Sequence, residues 1–474
     1  MKERSKQSGL RMNLVGERRI TGGLFAAETP VWYGNSGKVT PLWLSACKEE
    51  RERTSNLMEA IAEPSNLIAA YREVASNKGV SGIDGMDVFG LKEWLSENLK
   101  ELPESLMNGS YYPQAVLGVE IPKPHGGYRR LGIPTTKDRL VQQAISRVLM
   151  RLYEPTFSAH SYGFRPKRSA HQALTQAASY VQEGNDHVVD LDLEKFFDEV
   201  NHHRLMWLLG TRIGDGRLLN LIRKFLSSGI FTGGISQQRV KGTPQGSPLS
   251  PLLSNIVLDE LDQELESRGH LFVRYADDVK VFLRSHESAG RVQRRITGYI
   301  QGRMKLKVNR EKSRICRGHE LNFLGHSILK GGRIGLSKAS ENRLKGKVRE
   351  VTRRNRGISL DAVIKELNVQ LKGWLNYFYL AQMQSKLSKL DAWIRRKLKC
   401  FRLKQCKRVI GIVRFLRGLK VEEKLSWKTA LSGKGWWRLS NSPAISMGMT
   451  NSWFNQLGLF SLSANYKVRH RNPI

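Results

Sequence analysis

Residues 271–283 read LFVRYADDVKVFL. Two runs rich in Val, Phe and Leu flank Tyr275-Ala276-Asp277-Asp278, which predicts a β-hairpin with two adjacent carboxylates at its tip. Adjacent acids on a rigid turn repel each other unless a cation joins them to another group. Mg²⁺ suits that place, because one or two carboxylates and substrate phosphates commonly hold it. An ordinary Asp-rich turn is the competing reading of the isolated stretch, since Asp is a common turn residue.

A third acid is available upstream. In HVVDLDLEKFFDEVNHH (187–203), Val188 to Leu193 alternate as a strand, which sends Asp190 and Asp192 to one face. The chain then turns at Glu194-Lys195-Phe196-Phe197-Asp198. Set against the hairpin, this strand would complete a three-carboxylate cage. Two metals roughly 3.5–4 Å apart in such a cage clamp the attacking and leaving oxygens of an in-line phosphoryl transfer. A half-buried strand with solvated acids is the alternative. Between the two acidic segments lies KGTPQGSPLSPLLSNIVLDEL (241–261), a Gly- and Pro-constrained loop that feeds a helix near Leu249. A loop of this kind lets backbone approach a flat ligand such as a base pair.

Composition narrows the partner. The 474 residues leave room for two to four domains. Their 78 Lys and Arg against 43 Asp and Glu give a formal net charge of +35, spread along the whole chain. A folded protein with that charge repels itself, so a polyanion is the expected partner. No run of 18 apolar residues occurs, and the basic start MKERSKQSGLRMNL lacks a signal-peptide core. The expectation is a soluble, intracellular protein that binds nucleic acid and no membrane. Cys47, Cys316, Cys400 and Cys406 form no C-x-x-C pair and have no His pair at zinc spacing, which argues against a zinc site or a disulfide framework.

Organisation follows the same reading. Residues 1–55 show little periodicity and form an extension of unknown role. Helical patterns occupy Asn66 to Ala75 and Leu91 to Leu106, and residues 115–335 alternate strand-like runs with helices, which points to an α+β domain. From about residue 338 the pattern becomes basic and helical, and from Trp427 the chain carries Trp436, Trp437, Trp453 and Phe454 in a terminal module.

Seven blocks in order carry a resemblance. They are IPKPHGGYRRLGIPTTKDRLVQQAI (121–145), FSAHSYGFRPKRSAHQAL (157–174), VVDLDLEKFFDEVNHHRL (188–205), GTPQGSPLSPLLSNIVLDELD (242–262), FVRYADDVKVF (272–282), LKVNREKSRI (306–315) and LNFLGH (321–326). LNVQLKGWLNYF (367–378) follows them. From about residue 60 onward the chain resembles the reverse transcriptase–maturase proteins encoded by bacterial group II introns. The resemblance implies a right-hand polymerase: fingers and palm over 56–335, an α-helical thumb (maturase X domain) over 336–415, and a small C-terminal DNA-binding module over 416–474.

It also implies an RNA-directed DNA polymerase that copies intron RNA during retrohoming and assists splicing. Its metal-binding triad would be Asp192, Asp277 and Asp278, holding two Mg²⁺ ions with Mn²⁺ as a substitute. The family places an aromatic five residues after the first acid, and that spacing fits Asp192 with Phe197, leaving Asp190 a supporting role. Phe197 would be the steric gate against a ribose 2′-hydroxyl. Gln245 would lie beside the incoming dNTP, Lys123 and Arg129 would grip its triphosphate, and Lys312 would protonate pyrophosphate. Ser247 stands where relatives often carry Gly. Arg353, Arg354, Arg356, Lys365, Lys372, Arg395, Arg396 and Lys397 would line RNA, whereas Trp374, Tyr377 and Trp393 have the helical spacing of core residues. The implied partners are group II intron RNA, an RNA template–DNA primer duplex, target DNA and dNTPs, in the bacterial cytoplasm with an intron ribonucleoprotein or the nucleoid. The chain lacks the His and paired Cys of the HNH endonuclease found in many relatives, so a primer would come from elsewhere, such as a replication fork. A non-enzymatic RNA chaperone and a domesticated relative in repair or phage defence are the other readings.

Overall fold

The computed structural model describes residues 52, 54–122 and 126–471. Lys123 and all but a few residues of the 1–55 extension lie outside the described residues. The strands in chain order are β1 (Val116–Pro122), β2 (Tyr128–Ile133), β3 (His187–Asp192), β4 (Ile230–Thr232), β5 (Ile235–Gln237), β6 (Leu271–Tyr275) and β7 (Asp278–Leu283). Four short ones follow: β8 (Arg314–Arg317), β9 (Asn322–Phe323), β10 (His326–Ile328) and β11 (Ile334–Leu336).

Period-2 alternation decides the central sheet. β6 and β7 form the expected hairpin, and β3 pairs antiparallel with β7, giving the order β6-β7-β3-β8. One face of this sheet is apolar: Val189, Leu191, Phe272, Val279 and Val281 are fully buried in the main core. They pack with the helices Thr136–Tyr153, Ser250–Ser267 and His286–Gly302, whose apolar residues recur at helical spacing. The opposite face, at its Asp192 end, carries the acids. A second sheet, β2-β1-β4-β5, is built on the β1–β2 hairpin.

The backbone divides into two compact units. One comprises the residues up to Ala173 and His187–Ile315, the other Leu174–Asp186 and the chain from Cys316 onward. The second unit contains the sheet β11-β10-β9 and the helices Lys338–Val351, Leu360–Phe378 and Gln384–Gln405. Their apolar residues share one core with Leu439, Ile445, Phe454 and Leu462 of the terminal region. Asp391 joins the two parts by accepting hydrogen bonds from the backbone N–H groups of Leu462 and Ser463, each at 2.9 Å.

Two helical expectations are modified. The pattern over 91–106 is broken into helices Val88–Glu97 and Glu101–Met107, with Asn98 closing the first through a bond to the Trp94 carbonyl. The basic helix expected from about residue 338 stops at Val351, so Arg353, Arg354 and Arg356 sit in the following loop, which turns at Gly357 with φ +68°.

Candidate active site

Sheet register brings the acids together. Asp192 is the cross-strand partner of Asp278, and Asp190 is the partner of Lys280. Cross-strand partners share a face, so β3 and β7 place these four side chains side by side. Asp277 and Ala276 form the turn, and Ala276 adopts a left-handed φ of +57°. Such a conformation disfavours a residue with a Cβ and persists only where its surroundings enforce it.

The sequence did not single out Lys280. Its ammonium group is buried and bridges Asp190 and Asp278. Burial alone would lower its pKa, but the charges of Asp278 and Asp190 outweigh that and raise it. Arg314 adds a second cation 3.8 Å from Asp190. Burial pushes the Asp192 carboxyl above the ordinary range; Lys312 opposes this, while Asp277 and Asp190 add to it. Asp278 is driven upward by burial first, against Lys280, with Asp190 and Asp277 again adding. Its side chain keeps 40% exposure, which tempers the push and leaves room for a ligand.

The block at 306–315 closes the end of β3. The Asn309 N–H donates to the Asp192 carbonyl at 2.9 Å, and the Asp192 N–H donates to Ser313 Oγ at 3.0 Å. This places the exposed Lys312 Nζ 3.8 Å from Asp192.

The loop at 241–248 is stitched to the turn after β3. Thr243 N–H donates to the Phe197 carbonyl at 2.6 Å, and Gly242 N–H to the Val200 carbonyl at 2.8 Å. Gly242 has φ +84°, and a side chain there would press on the Phe197 and Asp198 carbonyls. Phe196 is core, whereas the adjacent Phe197 remains partly exposed, edge-on to it at 5.4 Å. The Gln245 carbonyl accepts from Gly132 N–H of β2 at 2.9 Å, tying this loop to the β1–β2 hairpin that carries the exposed Arg129. Ser247 anchors the loop from within, because its buried hydroxyl donates to Gln142 Oε1 at 2.6 Å.

In the second unit, Arg353, Arg354, Lys365 and Lys372 are exposed. Arg356 is paired with Glu366 at 2.7 Å. Arg395, Arg396 and Lys397 are half-buried. Arg396 stacks 3.8 Å from the Trp437 ring and donates to the Trp437 carbonyl at 2.9 Å. Trp374 and Trp393 pack partly into the core, as their spacing suggests, but Tyr377 is exposed, its hydroxyl reaching out to donate to the Leu324 carbonyl at 3.1 Å.

Behind the acidic turn, Arg274 of β6 is fully buried with Asp262 of the helix Ser250–Ser267. Nearby Asp259 has its pKa raised to about 7, by burial first and then by Asp262, with Arg274 opposing. Because the folded value exceeds the unfolded one, stability from this group is fully present below about 3.8 and lost as pH rises through about 7. Asp259→Asn, which mimics the neutral acid, is therefore expected to be more stable than wild type above pH 7. Thermal melts from pH 5 to 8 should show the difference shrinking towards pH 5; a pH-independent difference would contradict this.

Carboxylates thus share one face of neighbouring strands, and a Gly–Pro loop is bonded to the turn that carries a partly exposed aromatic, an arrangement compatible with the palm of a template-directed polymerase. Residues 121–328 match the family "Reverse transcriptase (RNA-dependent DNA polymerase)", and residues 341–415 match "Group II intron, maturase-specific domain". The chain belongs to the group II intron class of reverse transcriptases, the RNA-directed DNA polymerases that carry a maturase domain. It is similar to Protein YkfC of Escherichia coli K12, with 30% identity over 67% of this chain and 93% of that protein. It is also similar to the group II intron-encoded protein LtrA of Lactococcus lactis, with 35% identity over 54% of this chain. A putative COX1/OXI3 intron 2 protein of Saccharomyces cerevisiae is 26% identical over 58% of this chain. The chain spans 42% of the length of LtrA and 39% of the yeast protein.

Enzymes of this family use divalent metal ions. The donor set here fits such an ion. It consists of carboxylate oxygens, which are hard ligands, and their mutual repulsion adds to the burial that raises Asp192 and Asp278. Among the described residues no three acidic, imidazole or thiol groups already converge as a ligand cluster. Substrate phosphates would complete the coordination, as they do for Mg²⁺ in other phosphoryl-transfer sites.

Proposed function

We propose that this chain extends a DNA primer on an RNA template with dNTPs, copying the intron RNA that it also helps to splice. The observation that carries the reading is the register pair Asp192–Asp278 with Asp277 at the adjoining turn. In this reading Asp192, Asp277 and Asp278 hold two Mg²⁺ ions, or Mn²⁺ in their place. Ions held there would supply positive charge beside the primer 3′-hydroxyl and the departing pyrophosphate.

The chain's own residues position the reactants. Arg129 and Lys123 draw in the triphosphate, one through a bidentate fork and the other as a point charge. Gln245, held by its backbone bond to β2, lies beside the incoming base pair. The primer 3′-hydroxyl loses its proton to solvent, its oxygen bonds to the α-phosphorus as the bond to pyrophosphate breaks, and Lys312 gives pyrophosphate a proton that it regains from solvent. Lys312 already stands against Asp192, which supports that role. Asp190, neutralised by Lys280 and Arg314, acts as a support and not as a ligand.

The division into fingers and palm (56–335), thumb (336–415) and DNA-binding module (416–474) belongs to the same proposal. So do RNA contacts at Arg353, Arg354, Arg356, Lys365, Lys372, Arg395, Arg396 and Lys397, target DNA as a partner, and a place in the bacterial cytoplasm with an intron ribonucleoprotein or the nucleoid. Among the described residues no helix is long and apolar enough to cross a membrane. Binding through so many cations would weaken steeply with salt.

The partly exposed ring of Phe197 supplies a direct test. Phe197→Ala is expected to relax discrimination against ribonucleotides by roughly 10²-fold, a size typical of pocket-shape selection. Single-nucleotide incorporation of dATP and ATP on an RNA template measures it. Unchanged discrimination in an active variant would remove Phe197 from the site.

A further inference from the structure

We propose that Arg274 is a positioning residue, whose guanidinium locks the turn that aims Asp277 and Asp278. Its Nε donates to both Asp262 carboxylate oxygens, at 2.7 and 2.9 Å, and Nη2 donates to Oδ2 at 2.5 Å. Its remaining nitrogen, Nη1, donates to Asn255 Oδ1 and to the Ala276 carbonyl, both at 3.0 Å. One planar group thus joins the helix Ser250–Ser267 to the left-handed residue of the acidic turn.

A strap completes the clamp. The Tyr162 N–H donates to the Arg274 carbonyl and the Arg274 N–H to the His160 carbonyl, each at 2.9 Å. Asn255 Nδ2 donates to the Gly163 carbonyl at 3.0 Å, and a methyl group on Gly163 would collide with the Ala276 nitrogen. The SYGF segment (161–164) therefore lies directly behind the turn.

Stability alone explains this arrangement poorly. Arg274, Asp262 and Asn255 have no exposed surface, and a fully desolvated ion pair is often no better for stability than apolar residues of the same volume. What apolar residues cannot supply is a hydrogen bond to the Ala276 carbonyl, which holds a strained conformation two residues from Asp278. Misplacing a reacting group by about 1 Å costs on the order of 10²-fold in rate. The clamp is thus suited to keeping the two acids within that tolerance.

The inference rests on the polymerase reading, and its test separates the two. Arg274→Lys keeps the charge opposite Asp262 but lacks the second fork to Ala276. Hydrogen exchange is measured at Tyr275–Asp278 and across the helix Ser250–Ser267 in the full chain, together with kcat and dNTP KM in primer extension. Expected are turn amides exchanging at least about tenfold faster, an unchanged helix, and kcat lower by about 10²-fold at similar KM. If Arg274→Lys does not fold, Gly163→Ala, which retains the ion pair and presses on Ala276, is expected to give the same pattern. A folded variant with wild-type turn exchange and kcat overturns the proposal, as does faster exchange spread evenly over the palm. Absence of extension by wild type would instead defeat the polymerase reading, leaving turn exchange to decide the clamp.

Discussion

Replacing Asp277 and Asp278 together with Ala is expected to lower RNA-templated extension by roughly 10⁴-fold or more, the scale seen when the central groups of an active site are removed. The two residues sit at a turn and at the start of β7, with Asp278 partly open to solvent. Their loss takes one partner from the buried Lys280, which keeps Asp190, and relieves crowding among the carboxylates, so the fold is expected to survive. RNA binding and intron splicing, which the proposal assigns to basic residues away from this turn, should remain near wild type. Extension assays paired with a splicing assay of the flanking intron measure both. Loss of splicing in the folded variant would contradict separate roles, and retained extension would remove these acids from the chemistry. A chain acting solely as an RNA chaperone would show no extension even as wild type.

The second large effect concerns Lys280. Lys280→Met leaves Asp190 and Asp278 facing each other without their shared cation. Breaking a buried pair commonly costs about 3–5 kcal/mol, and the solvent access of both acids reduces the expected loss to about 2–3 kcal/mol. Adding Asp190→Asn to this variant should recover about half, because it removes the repulsion between Asp278 and Asp190, the latter left with the exposed Arg314 at 3.8 Å. Mg²⁺ should also raise the melting temperature of Lys280→Met more than that of wild type, since a cation then replaces the missing ammonium. Denaturant titrations of the two variants, with and without Mg²⁺, test each part. A neutral effect of Lys280→Met would mean that the bridge carries no weight.

The acids were legible in the sequence because strand alternation has a period of two. LFVRYADDVKVFL and HVVDLDL each show it, and a hairpin is a local structure. The roles of Lys280 and Arg274 were not legible. A single cation at an alternating strand position reads as solvent-facing, and only the pairing of β3 with β7 puts Lys280 between two acids. Arg274 depends on Asp262, twelve residues away on a helix, and its signal was simply a charge inside an apolar run. The strands β4, β5 and β9–β11 span two or three residues each, too few to show any period. The basic stretch after Val351 kept its composition but lost its helix at the Thr352 cap. Ser247 illustrates a further limit, since its smallness was visible in the sequence but its bond to Gln142 was not.

The central claim is that the acids on β3 and the β6–β7 turn form a working polymerase centre. The most direct measurement is incorporation of labelled dTTP on a poly(rA)–oligo(dT) template–primer by the purified chain, with Mg²⁺ and with EDTA. The account predicts processive incorporation that requires Mg²⁺ and disappears in Asp277→Ala/Asp278→Ala. A folded chain that binds the template–primer yet incorporates nothing with Mg²⁺ or Mn²⁺ would contradict it.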